Sequence, residues 1–173
     1  MSLRMAALGL LVQHPGSGYD LLKRFEKSMA NVWPATQSQL YGELNKLAAA
    51  GLIEVSDIGP RGRKEYRATP AGRAELLRWI ANPQDDPPER SAELLRVFLL
   101  GELPVDEARS HLAALADYSD REVERLKALE ASVDWTNADD FFGHAALEYG
   151  LRMNAMQAEW ARWVVAELKK RRI

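Results

Sequence analysis

The sequence predicts a mainly α protein in two parts: three to four short helices closed by a β-hairpin, then an all-α segment. Three features point there. Asn82-Pro83-Gln84-Asp85-Asp86-Pro87-Pro88 places three prolines and two acids in seven residues, which cannot continue a helix and so reads as a linker. Ahead of it the apolar spacing changes from three-or-four to two and back; behind it the spacing stays helical to the end. Charge divides at the same point, with 11 Lys/Arg against 7 Asp/Glu in residues 1–80 and 12 against 18 in residues 81–173. One unit is therefore expected at 1–81, a linker at 82–90 and a second unit at 91–173.

Leu3 to Gln13 reads as a short apolar helix, stopped by the breaker cluster His14-Pro15-Gly16. Ser17 is placed to cap a second helix running to about Met29, with Tyr19, Leu22, Phe25 and Met29 at helical spacing. Val32-Trp33-Pro34 interrupts, and a third helix follows from Thr36 to Ala50, with Leu40, Leu44 and Leu47 inward and Gly51 as its stop. Ile53 to Asp57 alternates as a strand, Ile58 to Arg63 is a glycine-bearing turn, and Lys64 to Ala68 returns as a second strand. Thr69-Pro70 then opens a fourth helix through Leu76, Leu77 and Ile80, with threonine as cap and proline at the first helical position.

Beyond the linker, Ser91 caps a short apolar helix ending near Gly101. Pro104 begins a long helix whose Val105, Ala108, Leu112, Leu115, Ser119, Val123, Leu126, Leu129 and Val133 form a coiled-coil-like seam. A last helix from about Asp139 carries Phe142, Ala146, Tyr149, Met153, Met156, Trp160, Trp163 and Leu168 on one side. It ends in Lys169-Lys170-Arg171-Arg172, cations that complement the helix dipole.

The balance of 47% apolar and 28% charged residues is that of a globular chain, not a disordered one. Gln13 and His14 end the early apolar run Met5 to Val12 far short of the roughly 18–20 residues a membrane helix needs, and no small-residue cleavage site follows it. No membrane association and no secretory leader are expected. The chain has no cysteine, which removes disulfides, cysteine nucleophiles and thiolate metal sites together and suits a reducing cytoplasm.

The third helix carries the first chemical signal. Opposite its leucines it offers Thr36, Gln37, Ser38, Gln39, Tyr41, Asn45 and Lys46, hydrogen-bonding side chains of a length that reaches base edges and phosphates in a major groove. Its first turn holds no carboxylate for phosphate to repel; Glu43 comes one turn later. The same residues would also serve merely to solvate a surface helix. The hairpin adds weight: Gly59-Pro60-Arg61-Gly62-Arg63-Lys64 sets Arg61, Arg63 and Lys64 within four residues at a turn where glycine permits close approach to another backbone. A basic turn alone is common on surfaces. Helix and turn together, in one unit of net positive charge, favour double-stranded DNA as partner and describe a winged helix-turn-helix.

The order of motifs resembles the PadR family of bacterial transcriptional regulators. The resemblance is carried by Ala7-Leu8-Gly9-Leu10-Leu11, Gly18-Tyr19-Asp20-Leu21-Leu22-Lys23-Arg24, Gln39-Leu40-Tyr41-Gly42-Glu43-Leu44, Leu47-Ala48-Ala49-Ala50-Gly51-Leu52-Ile53 and Tyr66-Arg67-Ala68-Thr69-Pro70-Ala71-Gly72. Val97-Phe98-Leu99-Leu100-Gly101-Glu102-Leu103 looks like the start of the family's longer C-terminal domain. The resemblance implies DNA reading by Thr36 to Ala50, phosphate contacts from Arg61, Arg63 and Lys64, a two-fold dimer, and repression relieved by a small, often aromatic, ligand. This chain departs from the pattern at Gly42, where the family commonly carries proline.

Other signals point to ordinary structure. His144 and Glu148, four apart near Asp139-Asp140, are the best case for a metal site, yet such sites generally need three or four convergent ligands, so no metal or other cofactor is expected. Gly16-Ser17-Gly18 lacks the frame and preceding strand of a nucleophile elbow, and Gly59 to Lys64 lacks the phosphate-loop spacing. No catalytic constellation is present, and an enzyme is not expected. Trp135, Phe141, Phe142, Tyr149, Trp160 and Trp163 crowd the C-terminal half. Tyr149, Met153, Met156, Trp160 and Trp163 read as dimer core, as the walls of a pocket for a flat ligand, or as both. Two long apolar stripes exceed what one domain of about 80 residues can cover, so a homodimer is expected, centred on Trp160 and Trp163 with Leu112 and Leu115 around them. The competing reading is a winged-helix module for protein–protein assembly without sequence-specific DNA binding.

Overall fold

The structure is a computed structural model that describes residues 2–59, 63–83, 88, 90–136 and 140–171. It divides into two compact units, Met1–Pro88 and Glu89–Ile173. The first runs α1 (Ser2–Gln13), β1 (Gly16–Ser17), α2 (Gly18–Lys27), a 3-10 turn at Met29–Asn31, α3 (Gln37–Ala49), β2 (Ile53–Gly59), β3 (Arg63–Ala68) and α4 (Pro70–Ala81).

α1 is apolar on nearly every side because it is the centre of the unit: Met5, Ala7, Leu8, Leu10 and Leu11 are all buried. Leu21 and Phe25 of α2, Leu40, Leu44 and Leu47 of α3, and Ile53 and Tyr66 of the sheet complete one core. Of the α2 residues at helical spacing, Phe25 is buried and Leu22 and Met29 pack against the core, but Tyr19 does not. Leu21 and Phe25 are buried, whereas Tyr19 is exposed, and the helix stops at Lys27 with Met29 in the 3-10 turn.

The sheet is antiparallel, in the order β1-β3-β2. Its third strand is an addition to the predicted hairpin: Gly16 and Ser17 pair with Tyr66 and Glu65. β2 and β3 pair from Ile53–Ala68 to Gly59–Arg63, with a bulge between Val55 and Asp57.

Two helix ends are stitched together. Gly51, at φ 68°, closes α3 as the left-handed residue, with the Gly51 amide donating to the Ala48 carbonyl and the Leu52 amide to the Leu47 carbonyl, both at 3.0 Å. The Thr69 hydroxyl donates to the Gly51 carbonyl at 2.8 Å and accepts from the Gly72 amide at 3.1 Å, so one side chain caps α4 and ties it to the end of α3. Gly42, by contrast, has open space around it. Gly42→Ala should therefore stabilise the protein by about 1 kcal/mol through helix propensity alone. A denaturation midpoint that fails to rise would count against this.

The second unit contains α5 (Ala92–Leu99), a 3-10 turn at Leu100–Glu102, α6 (Val105–Ser132) and α7 (Phe141–Arg171). Ser91 caps α5 by accepting from the Leu94 amide at 3.1 Å. α6 and α7 pack lengthwise and antiparallel, as the Ser119–Gln157 hydrogen bond and the approach of Leu126 to Gly150 show. The contact is made by small residues with occasional leucines. Ala108, Leu112, Ala116, Ser119 and Leu126 are buried from α6, and Leu147, Ala158 and Ala161 from α7. A Cβ on Gly150 would lie 3.2 Å from Leu126 Cδ1, so glycine there lets the two helices close up. The Ser119 hydroxyl is buried and donates to Gln157 Oε1 at 3.0 Å, and the Gln157 amide donates to Glu93 of α5.

This packing assigns the aromatic stripe of α7 to the opposite side from the one that touches α6. Phe142, Tyr149, Met153, Met156 and Trp163 are exposed, and Trp160 is partly covered. Leu112, expected at the dimer contact, is instead buried within its own protomer, and Leu115 is partly covered.

Candidate nucleic-acid interface

The first turn of α3 leaves the core at Leu40 and stands in solvent. Thr36, Gln37, Ser38 and Gln39 are all exposed, and no acid lies in that turn. Sequence alone treats these four as equivalent; the structure separates them. Thr36 and Gln39 form a capping box: the Thr36 amide donates to Gln39 Oε1 at 2.8 Å, and the Gln39 amide donates to Thr36 Oγ1 at 3.3 Å. Their side chains hold the helix end, whereas Gln37 and Ser38 project beside them. Asn45 is exposed two turns on.

Two other predicted contacts carry local partners. Tyr41 is partly buried against the core, and its ring lies where a Cβ on Gly18 would come within 2.6 Å of Cε1. Its role includes docking α3 on α2, a contact that only glycine at position 18 admits. Lys46 Nζ sits 2.8 Å from Glu43 Oε1, a pair within one helix whose lysine is exposed and whose glutamate is partly buried. Such pairs are worth about 0.3–0.5 kcal/mol, so phosphate can displace Glu43 at little cost.

In the hairpin, Lys64 is exposed on β3 and Arg63 opens that strand. Arg61 lies outside the described residues. A further wing cation escaped the sequence reading: Arg67 faces Glu54 across β2 and β3, with Nη2 2.7 Å from Oε1, both exposed. Cross-strand register is the signal that pairs them. Outside the wing, Lys23 of α2 is a further exposed cation, with Nζ 4.6 Å from the Tyr19 ring centre. Its hydrogen bond to Tyr19, with the Coulombic interaction of that pair, raises the Lys23 pKa and keeps the ammonium charged.

The residues considered for metal part company. His144 Nε2 lies 2.8 Å from Glu130 Oε1 and its ring stacks on Trp135, while Glu148 pairs with Arg152. Asp139 lies outside the described residues. Among those described, no three His, Asp or Glu side chains converge to hold a metal ion. No helix among them is long and apolar enough to cross a membrane.

Three helices around one apolar core, a stitched wing and an exposed uncharged helix end define a winged helix-turn-helix regulator with a helical C-terminal domain. Comparison with known proteins agrees at both levels. Residues 7–78 match the family model for the transcriptional regulator PadR-like family, and residues 89–169 match the virulence activator alpha C-terminal model. The chain is similar to the PadR-like family of transcriptional regulators over nearly its whole length.

Among relatives, a probable transcriptional regulator of Mycobacterium tuberculosis is 37% identical over 86 residues, which span 48% of this chain and 46% of that protein. The negative transcriptional regulator PadR of Bacillus subtilis is 28% identical over 97% of this chain and 98% of its own length. The crystal structure of Bacillus subtilis PadR with operator DNA superposes with a TM-score of 0.82 at 26% identity, covering 97% of this chain and 99% of that one. The complex of the same protein with p-coumaric acid gives 0.83 at 25% identity, covering 98% and 99%. The virulence activator AphA of Vibrio cholerae gives 0.82 at 26% identity, covering 97% and 98%.

Proposed function

We propose that this protein is a cytoplasmic repressor that binds a two-fold operator as a homodimer and releases it on binding a small, flat aromatic ligand. The observation that carries the reading is the exposed, carboxylate-free first turn of α3 in the same compact unit as the basic wing strand. The likeness to Bacillus subtilis PadR over nearly the whole chain supports operator DNA as the partner, and its p-coumaric acid complex supports the ligand class. One winged helix reads only a half-site, so a two-fold site calls for a two-fold protein.

In this reading Gln37 and Ser38 meet base edges, and Asn45 and Lys46 meet the backbone or flanking bases. Thr36 and Gln39 hold the helix end, and Arg61, Arg63 and Lys64 meet phosphate. The aromatic side of α7, with Tyr149, Met153, Met156, Trp160 and Trp163, forms the dimer contact and lines the space a flat ligand would occupy. α5 adds to the surface that a second copy would cover, since Phe98 is 90% exposed and Leu94, Leu95 and Leu99 are exposed beside it.

The test begins with selection of bound sequences from a random duplex pool, which should return a two-fold site. Gln37→Ala should then cost about 1–3 kcal/mol at one base pair per half-site and little elsewhere. Lys64→Ala should weaken binding to every sequence alike and flatten the salt dependence by about one unit for each phosphate it no longer neutralises. A pool that returns no two-fold site, or binding indifferent to salt, would leave protein–protein assembly as the function of this fold.

A further inference from the structure

We propose that Arg24 is a positioning residue for the wing: it fixes the His14–Ser17 turn, and through β1 that turn sets where the wing cations stand relative to α3. The functional half of this inference rests on the DNA-binding reading above. Arg24 lies on α2, yet its guanidinium reaches back to the end of α1, with Nη1 donating to the His14 carbonyl at 2.7 Å and to the Leu10 carbonyl at 3.4 Å. It thus caps the His14 carbonyl just past the end of α1 and adds a second, longer contact to the Leu10 carbonyl, which already accepts from the His14 amide. Nη2 is buried with no hydrogen-bond partner among the described residues and lies 2.6 Å from where a Cβ on Gly16 would be. Glycine at position 16 is therefore what allows the guanidinium to sit under the turn.

The next residue is held from the other side. Ser17 is 2% exposed; its hydroxyl donates to Asp20 Oδ2 at 2.7 Å and accepts from the Asp20 amide at 3.2 Å. The Ser17 amide also donates to Asp20 Oδ2, at 3.1 Å. Gly16 and Ser17, fixed by Arg24 and Asp20, are the two residues of β1, and they pair with Tyr66 and Glu65 of β3. Glu65 is next to Lys64 in the chain, and β3 is the central strand of the sheet. The order β1-β3-β2 therefore ties the base of the wing to the α1–α2 corner that Arg24 and Asp20 hold. The hairpin packs on the helical core through Ile53 and Tyr66, and this third strand adds a second anchor at the base of the wing.

Because the chain has no cysteine, introduced ones label cleanly. Spin labels at Asn45→Cys on α3 and Lys64→Cys on β3, in chains diluted with unlabelled protein, report the wing-to-helix distance without DNA. Arg24→Met should broaden that distance distribution, and Gly16→Ala, which pushes on the same guanidinium, should do likewise. Arg24→Lys, which keeps one donor, should narrow it again in part. On DNA, Arg24→Met with the native Lys64 should flatten the salt dependence by about one unit and leave the base-preference profile of α3 unchanged. The double change Arg24→Met/Lys64→Ala should weaken binding by less than the sum of the two single changes. An unchanged distance distribution in both Arg24→Met and Gly16→Ala overturns the tether. A broadened distribution with an unchanged salt slope supports the tether and overturns the phosphate reading of the wing.

Discussion

Gly72→Ala is expected to destabilise the N-terminal unit by about 3 kcal/mol or more, at the upper end of what overpacking a core commonly costs. A Cβ at this position would stand 2.0 Å from the Leu52 carbonyl oxygen and 3.2 Å from Leu8 Cδ1. Neither neighbour is free to retreat. The Leu52 carbonyl accepts from the Thr69 amide at 3.0 Å, and the Leu52 amide is held by Leu47 at the closing turn of α3. Gly72 is itself held by Thr69, so moving α4 outward breaks the cap as well as the packing. Urea denaturation followed by far-ultraviolet circular dichroism checks this, with Gly101→Ala as control because nothing lies within 4 Å of that position. A loss no greater for Gly72→Ala than for Gly101→Ala would show that the stitched corner yields.

The second large effect concerns assembly. Met156→Glu combined with Trp163→Glu should convert a micromolar dimer into monomers while leaving the helical content unchanged. Both side chains are exposed in the protomer, Trp163 by 58%, so the substitutions disturb no protomer packing. Loss of an interface tryptophan commonly costs about 2–4 kcal/mol, and a two-fold contact meets every change twice. The total of about 4–8 kcal/mol raises the dissociation constant about a thousand-fold or more. Sedimentation velocity on the full chain reads the outcome. An unmodified chain that sediments as a monomer would remove the α7 contact, and the two-fold operator with it.

What sequence shows of this fold is what is encoded locally. Ser17, Thr36, Thr69 and Ser91 are legible as caps because a hydroxyl three residues ahead of its target amide needs no tertiary context, and each makes that bond. The hairpin is legible from alternation and glycine. β1 is not, since the last residue of a breaker cluster and the cap that follows it carry no period, and only pairing with β3 makes them a strand. The same local bonding hides part of the candidate site. Thr36, Gln39 and Lys46 look outward-facing by helical position, yet their nearest partners lie three residues away on the same helix or its cap. Tyr41 reads as polar and outward, but its ring fills the space that Gly18 leaves.

α7 misleads for a different reason. Large side chains dominate any count of periodicity, so the stripe through Tyr149, Met153, Met156 and Trp163 draws attention from the alanines and glycine that touch α6. Burial by small residues leaves little trace in composition, because alanine is common on either side of a helix.

That division of α7 has a consequence for how such regulators diversify. One helix carries two messages written in different alphabets: alanine and glycine toward its own protomer, aromatics and methionines away from it. With the dimer contact proposed above, substitutions in the second message would alter which copies recognise one another without disturbing the first. A duplicated gene could therefore drift to a self-only or mixed pairing by a few outward changes, with each protomer's helical hairpin still assembling as before. Insulation of one regulator from its paralogues would then arise on this surface ahead of any change in the residues that meet DNA.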